Sequence, residues 1–392
     1  MGNEQEIFEM HERHRGVLGI EAEYDVRGKE ELGKLYTPGV ALISRAIAKD
    51  PELRHRYTMS GKLVALITDG SAVLGLGDIG PSAGLPVVEG KALLYKDMAG
   101  VDALPMAIAQ LPVDEFVDTV ANIADSFAGI HLEDIAAPRC FEIEDKLARR
   151  LDIPVYHDDQ EGTAIVVLAA LMNAAKVVGK EFSQLKLVIN GAGASGIATA
   201  KLLHAAGLSR ILLVDKEGLV TAQDEGYNPY QRAEADNPDG LPARSPLSEV
   251  IEGCDAFIGL SVADALTPED IGRMNQRPIV FALSNPKPEI DPQLLGGTDT
   301  AVFATGSSQY PNQVNNVLAY PGLFKGLLRA GVKRVSLDLE VAAARSLAQL
   351  VAQPRADKVI PGVFDPGVVD AVCAAVENFA REHTIRTKEQ AE

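Results

Sequence analysis

Disulfide chemistry has almost nothing to work with in this chain. Only three cysteines occur in 392 residues, Cys140, Cys254 and Cys373, far apart and without a C-x-x-C spacing. They read as small buried apolar residues in a reducing compartment. Positive charge is scarce as well: 37 Lys and Arg against 55 Asp and Glu leave a net charge of −18, with the acids spread along the chain. Nucleic acid and anionic membrane both need a basic face, so neither is expected as the main partner. Long apolar runs are also missing. The opening "MGNEQEIFEMHERHRG" holds no signal-peptide core, and Glu6 stands where a myristoylation motif needs Ser or Thr. No segment is expected to span a bilayer, which makes a cytoplasmic protein the expectation. No internal repeat is found.

What is present is ordinary for a globular protein: 46% hydrophobic and 23% charged residues, in a length that suggests two domains. Short apolar runs alternate with longer helical patterns, which predicts an α/β fold with parallel sheets and helices on their faces. In the first part the strand-like runs are 63–68, 103–108, 129–132 and 153–156, with helical stretches at 113–127 and 138–150. A long helix is expected over 162–178. The alternation then restarts with strands at 185–190, 210–215, 256–260, 279–283 and 301–304. The boundary between an N-terminal α/β part (1–161) and a doubly wound, Rossmann-type part (162–392) falls at the start of that helix. Residues 226–246 are polar and hold four prolines, and they read as an exposed loop rather than a linker. Residues 335–381 look helical and are placed as packing back on the first part.

"LKLVINGAGASGIATAKLLHAAG" carries the clearest local motif. A strand ends at Asn190, Gly191, Gly193 and Gly196 give G-x-G-x-x-G, and a helix opens at Ala194 and Ser195. The first two glycines allow a tight turn and a close approach of the backbone to a pyrophosphate, whose charge the helix amides receive. The next strand, "RILLVD", ends in Asp215, where an acid holds ribose hydroxyls and repels a 2′-phosphate. NAD is therefore expected over NADP, with Lys216 next in line to soften the preference.

Two acidic pairs close predicted strands: Glu133-Asp134 in "AGIHLEDIAAP" and Asp158-Asp159 in "VYHDDQEGTA". Asp158 followed by Glu161 also fits a capping box at the helix start. The carboxyl edge of an α/β sheet is where ligands bind, and a divalent cation relieves clustered carboxylates. An all-oxygen set suits Mg²⁺ or Mn²⁺. His131 and His157 stand beside these pairs as ligands of a softer metal or, more ordinarily, as hydrogen-bonded structural residues. Tyr36, before a Pro-initiated helix, reads as an aromatic packing into the core or as a functional group. Lys91, placed near a helix start, reads as a surface lysine or as a base whose pKa the dipole and a metal lower. Lys96 is left on the surface.

Taken in order, "YTPGVA", "TDGSAVLGLGDIGP", "EGKALLYKDMAGVDA", "HLEDIAAPRCFEIE", "HDDQEGTA", "NGAGASGIA", "ALSNP" and "NQVNNVLAYPG" resemble the malic enzyme family in its short bacterial type. The resemblance spans roughly residues 36–324. It implies oxidative decarboxylation of L-malate to pyruvate and CO₂ with NAD and Mg²⁺ or Mn²⁺, in a homodimer. By match to the family motifs, Tyr36 aligns with the general acid and Lys91 with the general base. Glu133, Asp134 and Asp159 align with the metal ligands, and Asp158 with the acid that supports the lysine. Asn285, Asn315 and Asn316 align with groups that hold substrate, Asn285 also cofactor. Ser71-Ala72-Val73 stands where some members carry an arginine, and His131, Ser307 and Gln309 are unusual within their motifs. Rival readings are a malolactic conversion of malate to lactate with bound NAD, a noncatalytic dinucleotide sensor, and a metal-dependent oxaloacetate decarboxylase.

Overall fold

Runs of two to six residues assemble two sheets, and one helix passes between them. A computed structural model describes residues 4–389, with side chains described to residue 383. The strands are β1 (Leu63–Thr68), β2 (Asp102–Ala107), β3 (Gly129–Glu133) and β4 (Val155–His157), then β5 (Lys186–Asn190), β6 (Arg210–Asp215), β7 (Gly218–Leu219), β8 (Ala256–Gly259), β9 (Ile279–Ala282) and β10 (Val302–Thr305). The first sheet has the order β2-β1-β3-β4 and is parallel throughout. Its central strand, "LVALIT", is an unbroken apolar run because both faces are covered. β4 starts two residues later than the apolar run suggests. Pro154 has no N–H to give the ladder, and only its carbonyl joins, accepting from the Ile130 amide at 2.8 Å.

The second sheet has the order β10-β9-β8-β5-β6-β7. Counted from β5, this is the doubly wound order 3-2-1-4-5-6, so the α/β class with a Rossmann-type sheet holds. One strand departs from it. β7 pairs antiparallel with β6, in a hairpin too short for the sequence pattern to announce. The order reverses between β5 and β8, and the glycine turn follows β5 at that switch point.

Helix Thr163–Val178 leaves β4 and carries the core across. Most of its residues are buried, and helices Ala194–Ala205 and Leu337–Gln349 pack on it. One apolar cluster runs from Val64 in β1 through this helix to Val376. The stretch Asp158–Val178 is, against expectation, long and apolar enough to cross a bilayer, and among the described residues it alone is; most of it is buried inside the protein. Its composition answers to a core on every side. The predicted helical stretch 335–381 is two helices, Leu337–Gln349 and Val368–Glu389. The segment between them is tied down by Asn173, whose amide donates to the Ala348 and Val359 carbonyls at 2.9 Å each. Helix Tyr320–Ala330 brings Tyr320 and Phe324 against His131 and Tyr156 of the first sheet.

Candidate active site

After His157 the chain makes a wide turn, Asp158–Gly162, before the helix begins. Glu161 reaches back and accepts from the His157 amide at 2.6 Å, so Glu161 does the capping. Asp158 makes no cap bond and is fully buried. It accepts instead from the Tyr156 hydroxyl at 2.7 Å, from the Asn316 amide at 3.2 Å, and from Lys91. Gly162 makes room for this: a Cβ there would lie 2.1 Å from Asp158 Oδ1. The glycine four residues after the first aspartate is a local signal that the turn packs on its own carboxylate.

Lys91 lies between two acids, Asp158 and Glu133, the latter 2.6 Å away. Its position corrects the sequence reading. Helix Pro81–Leu94 starts ten residues earlier, Gly90 is internal, and Lys91 sits in the last turn, where the dipole favours its charge. Burial opposes that charge, but Asp158 and then Glu133 outweigh it, and the Lys91 pKa stands well above its ordinary value. Asp158 is the reciprocal case: burial raises it, Lys91 overrides, and the net shift is downward.

The remaining acids go the other way. Glu133, Asp134 and Asp159 each bring an oxygen to one place, all within 4.8 Å of one another. Burial pushes Glu133 up to about 7 against the pull of Lys91. Burial, then Glu133 and Asp159, push Asp134 up to about 8. Burial and Glu133 push Asp159 up to about 6. Asp134 is held in a left-handed backbone conformation, φ +55°, unusual for a residue with a side chain. Its amide donates to Asp159 Oδ2 at 2.8 Å and its carbonyl accepts from Ala72 at 3.0 Å. Asp134 Oδ2 is buried and has no hydrogen-bond partner among the described residues. An orphaned oxygen and three carboxylates that resist ionising together fit a divalent cation held by Glu133, Asp134 and Asp159. A cation there, as a nearby positive charge, would lower the lysine's pKa.

A second cation position, bounded by His131, Glu133 and Asp158, is filled by the Lys91 ammonium. His131 is completely buried; the Tyr95 hydroxyl donates to its Nδ1 at 2.8 Å, and its Nε2–H donates to Glu133 at 3.0 Å. Burial lowers it to about 3, so it is a neutral prop for Glu133 within a box of Tyr95, Tyr156, Tyr320 and Phe324. His157, lowered by burial to about 4, takes a hydrogen from the Gln160 amide at 3.0 Å, and its Nε2 lies 3.5 Å from Asp159.

The residues with no local signal are Asp69, Ser71 and Arg139. Buried Asp69 pairs with Arg139 and accepts from the Ser71 amide at 3.0 Å and hydroxyl at 2.5 Å. Ser71 Oγ in turn accepts from the Ala136 amide at 2.9 Å. The "TDGSAV" stretch thus fastens the loop that carries Asp134.

In the second sheet, Gly191 has φ +126°, and a Cβ there would lie 2.2 Å from the Leu260 carbonyl. A Cβ at Gly196 would meet the Gly191 carbonyl at 1.7 Å, while Gly193 faces open space. Helix Ala194–Ala205 opens directly behind. Ser195 Oγ donates to the Asp159 carbonyl at 2.7 Å, which joins the glycine turn to the acid turn. Asp215, at the end of β6, accepts from the Glu217 amide at 2.8 Å. The asparagines separate: Asn316 bonds Asp158 and Thr163, Asn315 caps the turn Asn316–Leu318, and Asn285 lies on the loop after β9 against Gly306. Tyr36 is the outlier. It is 65% exposed, which overturns the reading of a core aromatic, and its hydroxyl makes no hydrogen bond among the described residues.

Comparison with known proteins agrees with this layout. Residues 160–376 match the family model "Malic enzyme, NAD binding domain", and residues 22–112 and 109–148 match "Malic enzyme, N-terminal domain". The chain is 45% identical over 378 residues to a NAD-dependent malic enzyme of Geobacillus stearothermophilus, covering 95% of this chain and 78% of that one. It is 45% identical to a bifunctional malic/malolactic enzyme of Bacillus subtilis, covering 97% and 94%. Relatives named NADP-dependent malic enzyme match too. The solved structure of a NAD-dependent malic enzyme from Thermotoga maritima superimposes with a TM-score of 0.91 at 40% identity, over 96% of this chain and 99% of that one. With both domain models matched in order, and relatives this similar over nearly the whole length, the chain belongs to the malic enzyme family.

Proposed function

We propose that the chain catalyses the metal-dependent oxidative decarboxylation of L-malate to pyruvate and CO₂ with reduction of NAD. The observation that carries this is Lys91, held between Asp158 and Glu133 at the edge of a three-carboxylate cluster that Ser195 links to the glycine turn. Glu133, Asp134 and Asp159 hold the cation, Mg²⁺ or Mn²⁺. Gly191, Gly193, Ala194, Ser195 and Gly196 form the dinucleotide turn, and Asp215 takes the ribose. A cation held by these acids would supply charge stabilisation for the C2 oxygen, and a dinucleotide at the glycine turn would supply the hydride acceptor.

Lys91, once neutral, takes the proton from the C2 hydroxyl, lends it to the same oxygen as CO₂ leaves, and takes it back as C3 is protonated, so that the ketone is left without it. Asp158, fixed by Tyr156 and Asn316, orients the lysine and shares its proton through their hydrogen bond. Tyr36 protonates C3 after CO₂ has left. Asn285, Asn315 and Asn316 hold the substrate side, and Asn285 also meets the cofactor. The division into a substrate and metal part (1–161) and a NAD part (162–392) belongs to the same reading. So do a cytoplasmic location and a homodimer, the homodimer supported by residues 4–59, where no side chain is buried, and by the exposure of Tyr36.

Purified protein given L-malate, Mn²⁺ and either cofactor is expected to form NADH and pyruvate in equal amounts, with NADP much the poorer substrate. Lactate without NADH would mean malolactic chemistry, as the name of the Bacillus subtilis relative includes. NAD binding without turnover would mean a sensor.

A further inference from the structure

The loop after β7 closes on the dinucleotide motif. Within the polar stretch 226–246, Tyr227 is 6% exposed and its hydroxyl donates to Asp215 Oδ1 at 3.1 Å. The Glu217 amide donates to the same oxygen at 2.8 Å. Both donors fall on Oδ1, and among the described residues no hydrogen bond reaches Oδ2. Burial first, and Asp215 next, raise the Tyr227 pKa, so the hydroxyl keeps its proton and remains a donor. Two contacts hold the loop in place. Gln231 donates to the Ala192 carbonyl in the glycine turn at 3.1 Å and completes a capping box with Asn228. Arg244 lies 5.9 Å from the Tyr227 ring centre and is itself engaged by Asp224 at 2.8 Å.

We propose that Tyr227 is a positioning residue for cofactor choice: it holds one oxygen of Asp215 so that the other stands free for a vicinal ribose diol. This rests on the reading that Asp215 meets the ribose. A carboxylate anchored on one oxygen presents the second in a fixed direction, and the diol then bears less of the ordering cost. The same anchoring fixes the carboxylate in a place unfavourable to a 2′-phosphate. Arg244, occupied by Asp224, is withheld from that phosphate.

The test is titration of NADH fluorescence, without malate or divalent cation, on full-length wild type, Tyr227→Phe, Asp215→Ala and the double variant. The chain has no tryptophan to overlap the signal. KM and kcat for NAD and NADP are measured alongside. Phe keeps the ring and removes only the donor. The net worth of one ordinary hydrogen bond predicts that Tyr227→Phe, which acts through Asp215, weakens NADH binding and raises the KM for NAD about three- to tenfold. The kcat with NAD and the KM for NADP should stay near wild type, so the preference narrows. In the Asp215→Ala background the same substitution should change nothing. The proposal is overturned if Tyr227→Phe binds NADH normally while Asp215→Ala does not, if both cofactors weaken equally, or if the effect persists without Asp215. Normal NADH binding by Asp215→Ala is a separate failure, of the ribose reading itself.

Discussion

Residues 4–59 and the crevice between the sheets are built in opposite ways. In the crevice, Asp158, His131 and Lys91 are surrounded by their own chain, and each makes two or more specific contacts. In the N-terminal stretch, helices Glu4–His14, Lys29–Leu35 and Val40–Lys49 bury no residue, and Phe8, Ile20, Leu32, Tyr36 and Leu42 face outward. Its anchors are few: Leu18 against the cluster of Leu66, Val88 and Ala92, Glu23 with Lys62, and Arg54 with Asp125. A crevice held this way keeps its geometry within one chain. A segment that leaves its apolar side chains in water is completed by something outside itself. The proposed base and ion ligands lie in the first kind of structure, and the proposed acid in the second.

That contrast can be broken by mutation. The largest effect is expected at Lys91: Lys91→Ala should lower kcat about 10²–10⁴-fold, and near-normal malate oxidation would remove the lysine from the chemistry. Tyr36→Phe should slow proton exchange at the pyruvate methyl group about 10²-fold while leaving the cation requirement unchanged; unaltered exchange would exclude Tyr36 as the acid. Asp159→Ala should raise the Mn²⁺ needed for half-maximal rate at least about tenfold, as loss of a metal-site group does. An unchanged titration would count against ligation. Dilution should lower specific activity in step with loss of the dimer in sedimentation. Activity independent of concentration, in a monomer, would make the exposed stretch dispensable.

The smallest effect is on stability. Glu133, Asp134 and Asp159 titrate near 7, 8 and 6 in the folded chain, against about 4 when unfolded. The folded state then binds more protons between about pH 4 and 8, so these acids make the cation-free protein less stable as pH rises through that window. His131 and His157, lowered to about 3 and about 4, contribute stability that is present above about 6.5 and lost only below it. From pH 6.5 to 8 the histidines drop out, and Glu144 and Glu340, which burial holds well above the ordinary carboxyl range, act in the same direction as the three acids. Tm without cation should fall by a few degrees there, and Mn²⁺ should raise Tm more at pH 8 than at pH 6.5. A flat profile would mean that the three acids do not share charge.

The sequence pattern announced the strands because buried parallel strands are short, unbroken apolar runs, as "LVALIT" is. It announced the acid pairs because they end such runs. Lys91 was legible as a residue but not in its place, since Gly90 looks like a boundary and is helix interior. The hairpin strand β7 is too short to carry a period. The chain from Tyr95 through His131 to Glu133, and the pair Asp69–Arg139, join residues far apart in sequence, and no local spacing encodes a contact of that range.

The bond from the Ser195 hydroxyl to the Asp159 carbonyl has a mechanical consequence. It joins the glycine turn after β5 to the carboxylate turn after β4, so any rocking of one sheet against the other either drags the carboxylate turn along or snaps that bond. The placing of Asp159 and the placing of the glycine turn are thereby coupled, and by reciprocity whatever fixes one fixes the other.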